Sequence, residues 1–203
     1  MKKGLFITFE GADGSGKTTQ VNKIKTFLEA KGYDVVVTRE PGALELGQKI
    51  RNILLHSTEV VADRCEIFLF VADRAQHIET FIKPAINQGT IVLCDRHTDS
   101  TIAYQGYGRG QDIEMLKQLN EIAVNGLKPD LTLLFDVSTE VAQERVGSEK
   151  DRMESAGIEF HKKVRNGYLE LAKQDPERIK IIDANLTIEE VFEQVKKIID
   201  KII

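Results

Sequence analysis

Gly11-Ala12-Asp13-Gly14-Ser15-Gly16-Lys17-Thr18 follows the apolar run Leu5-Phe6-Ile7-Thr8-Phe9 and opens an amphipathic stretch beginning at Lys17. The spacing is that of a phosphate-binding loop, and the strand before it and helix after it supply the context the motif requires. Its glycines let backbone N–H groups converge on phosphate oxygens, and the helix adds the positive end of its dipole. Lys17 is placed to bridge the outer phosphates, and Thr18 to offer its hydroxyl to Mg2+. Gly11, Ala12, Asp13, Gly14, Ser15, Gly16, Lys17, Thr18 and Thr19 are the expected ATP contacts. A plain glycine-rich turn with an exposed lysine is the alternative. The loop leaves the reaction open, because switches, motors, kinases and ligases share it.

Working outward, short apolar runs alternate with longer amphipathic stretches, the pattern of a parallel sheet covered by helices on both faces. Strands are expected at Leu5–Phe9, Asp34–Thr38, Thr90–Cys94, Leu131–Asp136 and Ile179–Ile182. Helices are expected at Lys17–Lys31, Leu44–Leu54, Cys65–Gln88, Ile113–Asn125, Thr139–Arg145, Ile158–Gln174 and Ile188–Ile203. Thr187 with Glu190 reads as a capping box, and Gly32, Gly89 and Gly126 as helix stops. The fold class is therefore α/β, a P-loop NTPase fold with a five-stranded parallel sheet. No repeat or Pro/Gly-rich linker divides the chain, so one domain over 1–203 is expected. Arg96–Gln111 and Val146–Gly157 show little periodicity and read as binding loop and lid.

The chain has 203 residues and a formal charge of −4 at pH 7. A net acidic balance argues against a protein that coats nucleic acid, which needs a face dense in Lys and Arg. Cys65 and Cys94 are the two cysteines. With no His at ligand spacing they suggest neither a disulfide framework nor a zinc site, and a reducing, cytoplasmic compartment fits. Met1-Lys2-Lys3 before Gly4-Leu5-Phe6-Ile7 imitates a signal peptide, but Thr8 and Glu10 interrupt the apolar run. No stretch approaches the ~20 apolar residues of a membrane span.

Further motifs follow in order: Thr38-Arg39-Glu40-Pro41-Gly42, Leu69-Phe70, Ala72-Asp73-Arg74-Ala75-Gln76-His77, Asp95-Arg96, Asp99-Ser100-Thr101 and Ala103-Tyr104-Gln105-Gly106. With Phe9-Glu10-Gly11 and the loop, this set resembles the thymidylate kinase family over nearly the whole chain. The resemblance implies transfer of the terminal phosphoryl of ATP to thymidine monophosphate (dTMP), with Mg2+, in a homodimer formed through helices. Physically, the motifs define a second site beyond the carboxyl ends of the strands, where open α/β sheets bind ligands.

Arg39 and Arg96 end the second and third strands, where two guanidiniums suit an acceptor phosphate. Their alternative is structural pairing, Arg39 with Glu40 and Arg96 with Asp95. Asp95 is placed to reach a Mg2+ shell, or else to cap a loop. Phe70 alone reads as core, and the resemblance moves it to the base, with Arg74 one turn along the same face. The resemblance likewise implies that Gln105, Ser100 and Thr101 meet the thymine edge. It also implies that Tyr104 crowds the sugar 2′ position and that Asp13 reaches the 3′-hydroxyl. Thymidylate kinases keep the arginine that meets the moving phosphoryl either in the phosphate loop or on the lid. The loop's variable positions carry none here, so the resemblance implies a lid cation, Arg145 or Arg152, with Lys150 a solvated bystander.

Departures from the family are His97, where an aromatic residue is usual, and Ala43-Leu44-Glu45 after Pro41-Gly42. The resemblance implies adenine contacts, chiefly through backbone, at the turn Asp183-Ala184-Asn185-Leu186. Three other readings stay open on the sequence. They are a kinase for another nucleoside monophosphate, a non-catalytic ATP-binding regulator, and a nucleic-acid-dependent ATPase, the last weakened by the absence of a basic tract.

Overall fold

In the computed structural model, residues 4–145 and 156–203 are described. Five parallel strands stand in the order β2-β3-β1-β4-β5. They are β1 (Leu5–Glu10), β2 (Val35–Arg39), β3 (Ile91–Asp95), β4 (Leu131–Asp136) and β5 (Ile179–Asp183). β1 is central and every one of its side chains is buried, which is why four of its residues, Leu5, Phe6, Ile7 and Phe9, are apolar on both faces of the strand.

Alternation along the strands divides the core between two faces. Leu5, Ile7 and Phe9 of β1, with Ile91 and Leu93 of β3, pack against Val21, Ile24 and Leu28 of α1 (Lys17–Ala30) and Val191, Val195 and Ile199 of α9 (Ile188–Ile199). Phe6, Val92 and Cys94 point the other way, onto Ile78 and Ile82. The helices on that side include α3 (Asp63–His77), α6 (Ile113–Val124) and α8 (Ile158–Gln174). The remaining helices are α2 (Glu45–His56), α4 (Lys83–Asn87), α5 (Thr98–Thr101) and α7 (Thr139–Arg145). The capping box expected at Thr187 and Glu190 is formed in both directions.

Two expectations need correction. The long helix over Cys65–Gln88 is divided: α3 runs into a wide π turn at Ile78–Ile82, then α4. Pro84 lies in the first turn of α4. It has no N–H to donate and crowds the carbonyl four residues back, so the ladder widens there. The segment Arg96–Gln111 is not a loop, because α5 passes into a π-helix over Ile102–Gly108 whose residues 102–106 are buried. A π-helix lacks the 3.6-residue period, and its glycines serve contact rather than turning. A Cβ on Gly108 would lie 2.6 Å from Phe160 Cε2, and one on Gly167 of α8 would lie 2.7 Å from Tyr107 Cγ. The expected lid falls largely on residues outside those described.

Gly108→Ala therefore overpacks the seam between the π-helix and α8. A loss of about 1–3 kcal/mol in denaturant or thermal unfolding is expected. An unchanged unfolding midpoint would mean that this seam has room to spare.

Candidate active site

The phosphate loop crosses from β1 to α1 by way of Gly11, at φ +133°, where a Cβ would stand 2.5 Å from the carbonyl oxygen of Phe135. Only glycine fits so close to β4. Lys17 folds back over the loop, donating from Nζ to the carbonyls of Gly11 (3.0 Å) and Ala12 (2.8 Å) and to Ser15 Oγ (3.4 Å). Burial, with Arg96 nearby, pushes the Lys17 pKa down. A cavity of about 690 Å3 opens here, lined by Asp13, Gly14, Gly16, Lys17, Thr18, Thr19, Asp95 and Arg145. Asp95 Oδ1 is buried with no hydrogen-bond partner among the described residues. An orphaned carboxylate oxygen sharing a cavity with a threonine hydroxyl is a donor set that suits a hard divalent cation. Arg145, at the end of α7, donates from Nη1 to the carbonyl of Ala184 at 3.0 Å, beside the turn after β5. Arg152 and Lys150 lie outside the described residues.

A second cavity meets the first at Asp13. Asp13, Phe70, Arg74, Arg96, Ser100, Thr101, Tyr104 and Gln105 all line it, joined by Glu40, Pro41, Arg51, Leu55 and His97. Phe70, half-buried, belongs to its wall rather than to the core.

Arg39 is the exception. It lines a separate cavity with Thr18, Asn22, Val37 and Asp95, so in this structure it does not line the cavity that holds Arg96. The reason is strand parity: Val35, Val37 and Arg39 share the α1 side of β2, whereas Thr38 and Glu40 face α3.

Arg96 adopts φ +67° directly after β3. Its Nη2 donates to Asp13 Oδ1 at 2.7 Å, and its Nη1 to Ser100 Oγ (3.3 Å) and Tyr168 Oη (3.2 Å). The guanidinium lies 5.0 Å from the centre of the Tyr104 ring, and Tyr104 Oη donates to Asp13 Oδ2 at 3.3 Å. Asp13 is held well below the ordinary carboxylate range: burial pushes it up, and Arg96 and Lys17 outweigh that. The partner of Arg96 is thus Asp13, not the adjacent Asp95.

Arg74 is almost fully buried. Nε donates to Glu40 Oε2 (2.8 Å), Nη1 to Thr101 Oγ1 (3.0 Å) and Asn120 Oδ1 (2.6 Å), and Nη2 to the carbonyl of His97 (3.0 Å). A guanidinium has five N–H donors, so one Nη2 hydrogen is left for the cavity among the described residues. Thr101 is therefore a support of Arg74. Gln105 donates from Nε2 to the buried carboxylate of Glu66 at 2.9 Å, which also pairs with Arg109.

Sequence reasoning missed Glu10, Glu40, Arg51, Glu66, His77 and Tyr168. Their one signal was an acidic residue at the end of an apolar strand (Glu10, Glu40) or inside an apolar helix face (Glu66), where a charge persists only with partners. Glu40 accepts from Arg74 and His77, the latter at 3.0 Å, and lies 3.1 Å from His97 Nδ1. His97 is fully buried, edge-on to Phe6 with ring centres 5.0 Å apart, and burial pushes its pKa down. The packed position agrees with the sequence reading of a packed histidine.

A phosphate loop opening α1, an orphaned carboxylate beside it, and a second, cation-lined cavity at the same sheet edge define a P-loop nucleotide phosphotransferase. The thymidylate kinase family description matches residues 9–195. A thymidylate kinase of Desulfovibrio desulfuricans is 47% identical over 206 residues, covering 97% of this chain and 95% of the relative. One of Trichodesmium erythraeum is 50% identical over 215 residues, covering 97% and 95%. The crystal structure of thymidylate kinase from Ehrlichia chaffeensis superposes with a TM-score of 0.81 at 37% identity, covering 97% of this chain and 98% of that one. The chain belongs to the thymidylate kinase family.

Glu40 carries a pH signature. Burial pushes its carboxyl up, but His97, Arg74 and the His77 hydrogen bond together hold it well below its ordinary 4.5. A depressed folded pKa gives stability that is complete above about pH 4.5 and is lost as pH falls below it. Glu40→Gln should destabilise the protein by about 3–5 kcal/mol at neutral pH, because Arg74 is left unpaired in the interior. The gap from wild type should narrow in acid, as followed by denaturant unfolding at several pH values. A gap independent of pH would show that Glu40 is not the ionised partner.

Proposed function

We propose that the two cavities hold the two substrates of the family reaction, ATP plus dTMP giving ADP plus dTDP, with their phosphates meeting above Lys17 and Asp13. The observation that carries this is the junction of a phosphate loop with a second cavity lined by a guanidinium, a half-buried aromatic ring and amide and hydroxyl groups. The family match gives no support to a non-catalytic regulator or to a kinase of another specificity.

ATP lies along Gly11–Thr19, its outer phosphates meeting Lys17, which exchanges its loop carbonyls for phosphate oxygens. Thr18 and Asp95 are the residues that hold Mg2+. When bound, the ion neutralises and aligns the outer phosphates of ATP. In the second cavity Phe70 stacks on the base, Arg74 offers its remaining Nη2 hydrogen to a base carbonyl, and Gln105, oriented by Glu66, reads the pyrimidine edge. Tyr104 crowds the sugar, and Asp13 meets its 3′-hydroxyl. Arg96 keeps its Nε hydrogen and one Nη2 hydrogen for two oxygens of the acceptor phosphate. Because that phosphate is already ionised, alignment and charge neutralisation supply the catalysis without a strong general base.

Arg145, tethered to the carbonyl of Ala184, serves the adenine side. Arg152 is then the lid cation that meets the transferring phosphoryl. Exposed Phe68 on α3 and Ile122 on α6 are the apolar surface a helix-mediated homodimer would cover. No described helix is long and apolar enough to cross a membrane. Free Cys65 and Cys94 accord with a cytoplasmic, reducing setting.

In a coupled ADP-release assay, Arg152→Ala should lower kcat by about 10³-fold or more, and Arg145→Ala by far less. The reverse order would move the lid role to Arg145. Discrimination against dUMP rests on one methyl group, so kcat/KM for dTMP should exceed that for dUMP by about 10–200-fold. A purine or cytidine monophosphate used better than dTMP would overturn the assignment of the second cavity.

A further inference from the structure

Glu10, the last residue of β1, takes no part in the scheme above, yet it is fully buried one layer behind Arg96. Both of its oxygens are engaged. Oε1 accepts the backbone N–H of His97 at 2.7 Å, and Oε2 accepts from Ser100 Oγ at 2.6 Å and Tyr168 Oη at 3.0 Å. These two hydroxyls, 2.7 Å apart, are the same two that accept from Arg96 Nη1. Each hydroxyl has one hydrogen, and an ionised carboxylate only accepts. Both hydrogens are therefore drawn inward, whether Tyr168 gives its own to Glu10 or to Ser100. Both hydroxyl oxygens are left with lone pairs turned toward the guanidinium.

The same carboxylate fixes the backbone on either side of that side chain. The N–H of Arg96 donates to the carbonyl of Phe9 at 2.9 Å, and the next N–H goes to Glu10. Strand β1, helix α5 and helix α8 are thereby joined at one point behind the acceptor cavity.

We propose that Glu10 is a positioning residue for Arg96. It acts through the hydroxyls of Ser100 and Tyr168 to hold the guanidinium with its remaining N–H donors presented to the acceptor phosphate. This rests on the reading of Arg96 as the acceptor-phosphate ligand. Glu10 itself touches no substrate. The charged groups that act on it include Asp99, Arg96 and Lys17, and burial followed by Asp99 pushes its carboxyl up to about 7.

The test is Glu10→Gln. With its carbonyl kept on the His97 N–H, the amide turns an NH2 toward the two hydroxyls. A hydroxyl hydrogen is then forced outward against Arg96. Binding is measured by calorimetry at about pH 8, where the native carboxylate is ionised.

Glu10→Gln should weaken dTMP by about 10–100-fold, the worth of hydrogen bonds to a charged group. Affinity for ATP and for thymidine, which lacks the phosphate, should be unchanged. Glu10→Gln combined with Arg96→Ala should bind dTMP no more weakly than Arg96→Ala alone. Tyr168→Phe keeps the ring and removes one acceptor, so it should show a smaller loss of the same kind even if Glu10→Gln fails to fold. Equal losses for dTMP and thymidine, additive losses in the double variant, or no loss at all would overturn the proposal.

A readout free of nucleotide separates this inference from the assignment of the cavity. The Arg96 Nε–H signal in a nitrogen NMR spectrum should be sharp in the wild type and broadened in Glu10→Gln and Tyr168→Phe. An unchanged signal refutes the positioning role. A changed signal in a protein that does not bind dTMP would refute only the substrate assignment.

Discussion

Alternation of side chains at the carboxyl edge of a parallel sheet is the constraint from which the rest of this site follows. On the α1 side, β2 and β3 end in Arg39 and Asp95, which share a cavity with Thr18. On the opposite side, β1 ends in Glu10 and the chain beyond β2 and β3 presents Glu40 and Arg96. One row of backbone thus sorts the groups proposed to serve a triphosphate and its cation from those proposed to serve an acceptor. The two sets stay close because the phosphate loop runs over the edge between them, with Asp13 in the wall of both cavities.

Beside the second cavity stand three buried glutamates, each one bond or one hydroxyl away from a residue that lines it. Glu40 holds Arg74, Glu66 holds Gln105, and Glu10 holds Arg96 through Ser100 and Tyr168. Burying a carboxylate is costly unless it is paired, and removing either partner of such a pair exposes the full cost in the other. The ligand-facing groups are therefore locked by the same bonds that make the interior tolerable, and they need little reorganisation when substrate arrives. The environments still differ. Burial pushes up both Glu10 and Glu40, but the histidine and guanidinium neighbours of Glu40 outweigh it, whereas Asp99 adds to it at Glu10.

The phosphate loop and the five strands were legible because each is written in contiguous residues, whereas the wall of the second cavity is drawn from separate motifs between Asp13 and Gln105 and was legible only through the family resemblance. Gly11–Thr18 carries its own geometry, and β1 and β4 are dominated by apolar residues. The partners of the buried glutamates were not legible, since they come from afar: Tyr168 meets Glu10 across 158 positions and Glu66 meets Gln105 across 39. The cavity that Arg39 lines was not legible either, because a strand-end arginine announces a cation without announcing its face, and only the parity of β2 against α1 decides that. The π-helix at Ile102–Gly108 was read as a loop for a related reason. Gly106 and Gly108 signal turning in a sequence, and in the fold they admit Ile113 and Phe160 to close contact.

Arg96 shows what this arrangement costs and what it gives. A non-glycine residue at φ +67° carries a penalty of roughly 1–3 kcal/mol and persists only where its surroundings over-determine it. Here they do: the Arg96 N–H is fixed to Phe9, its carbonyl accepts from Cys94 Sγ at 3.2 Å, and the following N–H is fixed to Glu10. Had β3 simply continued, the next residues would have run on along the strand axis, past the loop. The left-handed step instead ends the strand at the level of Asp13, so that the guanidinium meets the loop and the Tyr104 ring together. Relaxing the strain would require giving up bonds to two strands at once. The backbone from which the cation projects is thus fixed by the sheet itself, and the loop, α5 and α8 orient the guanidinium.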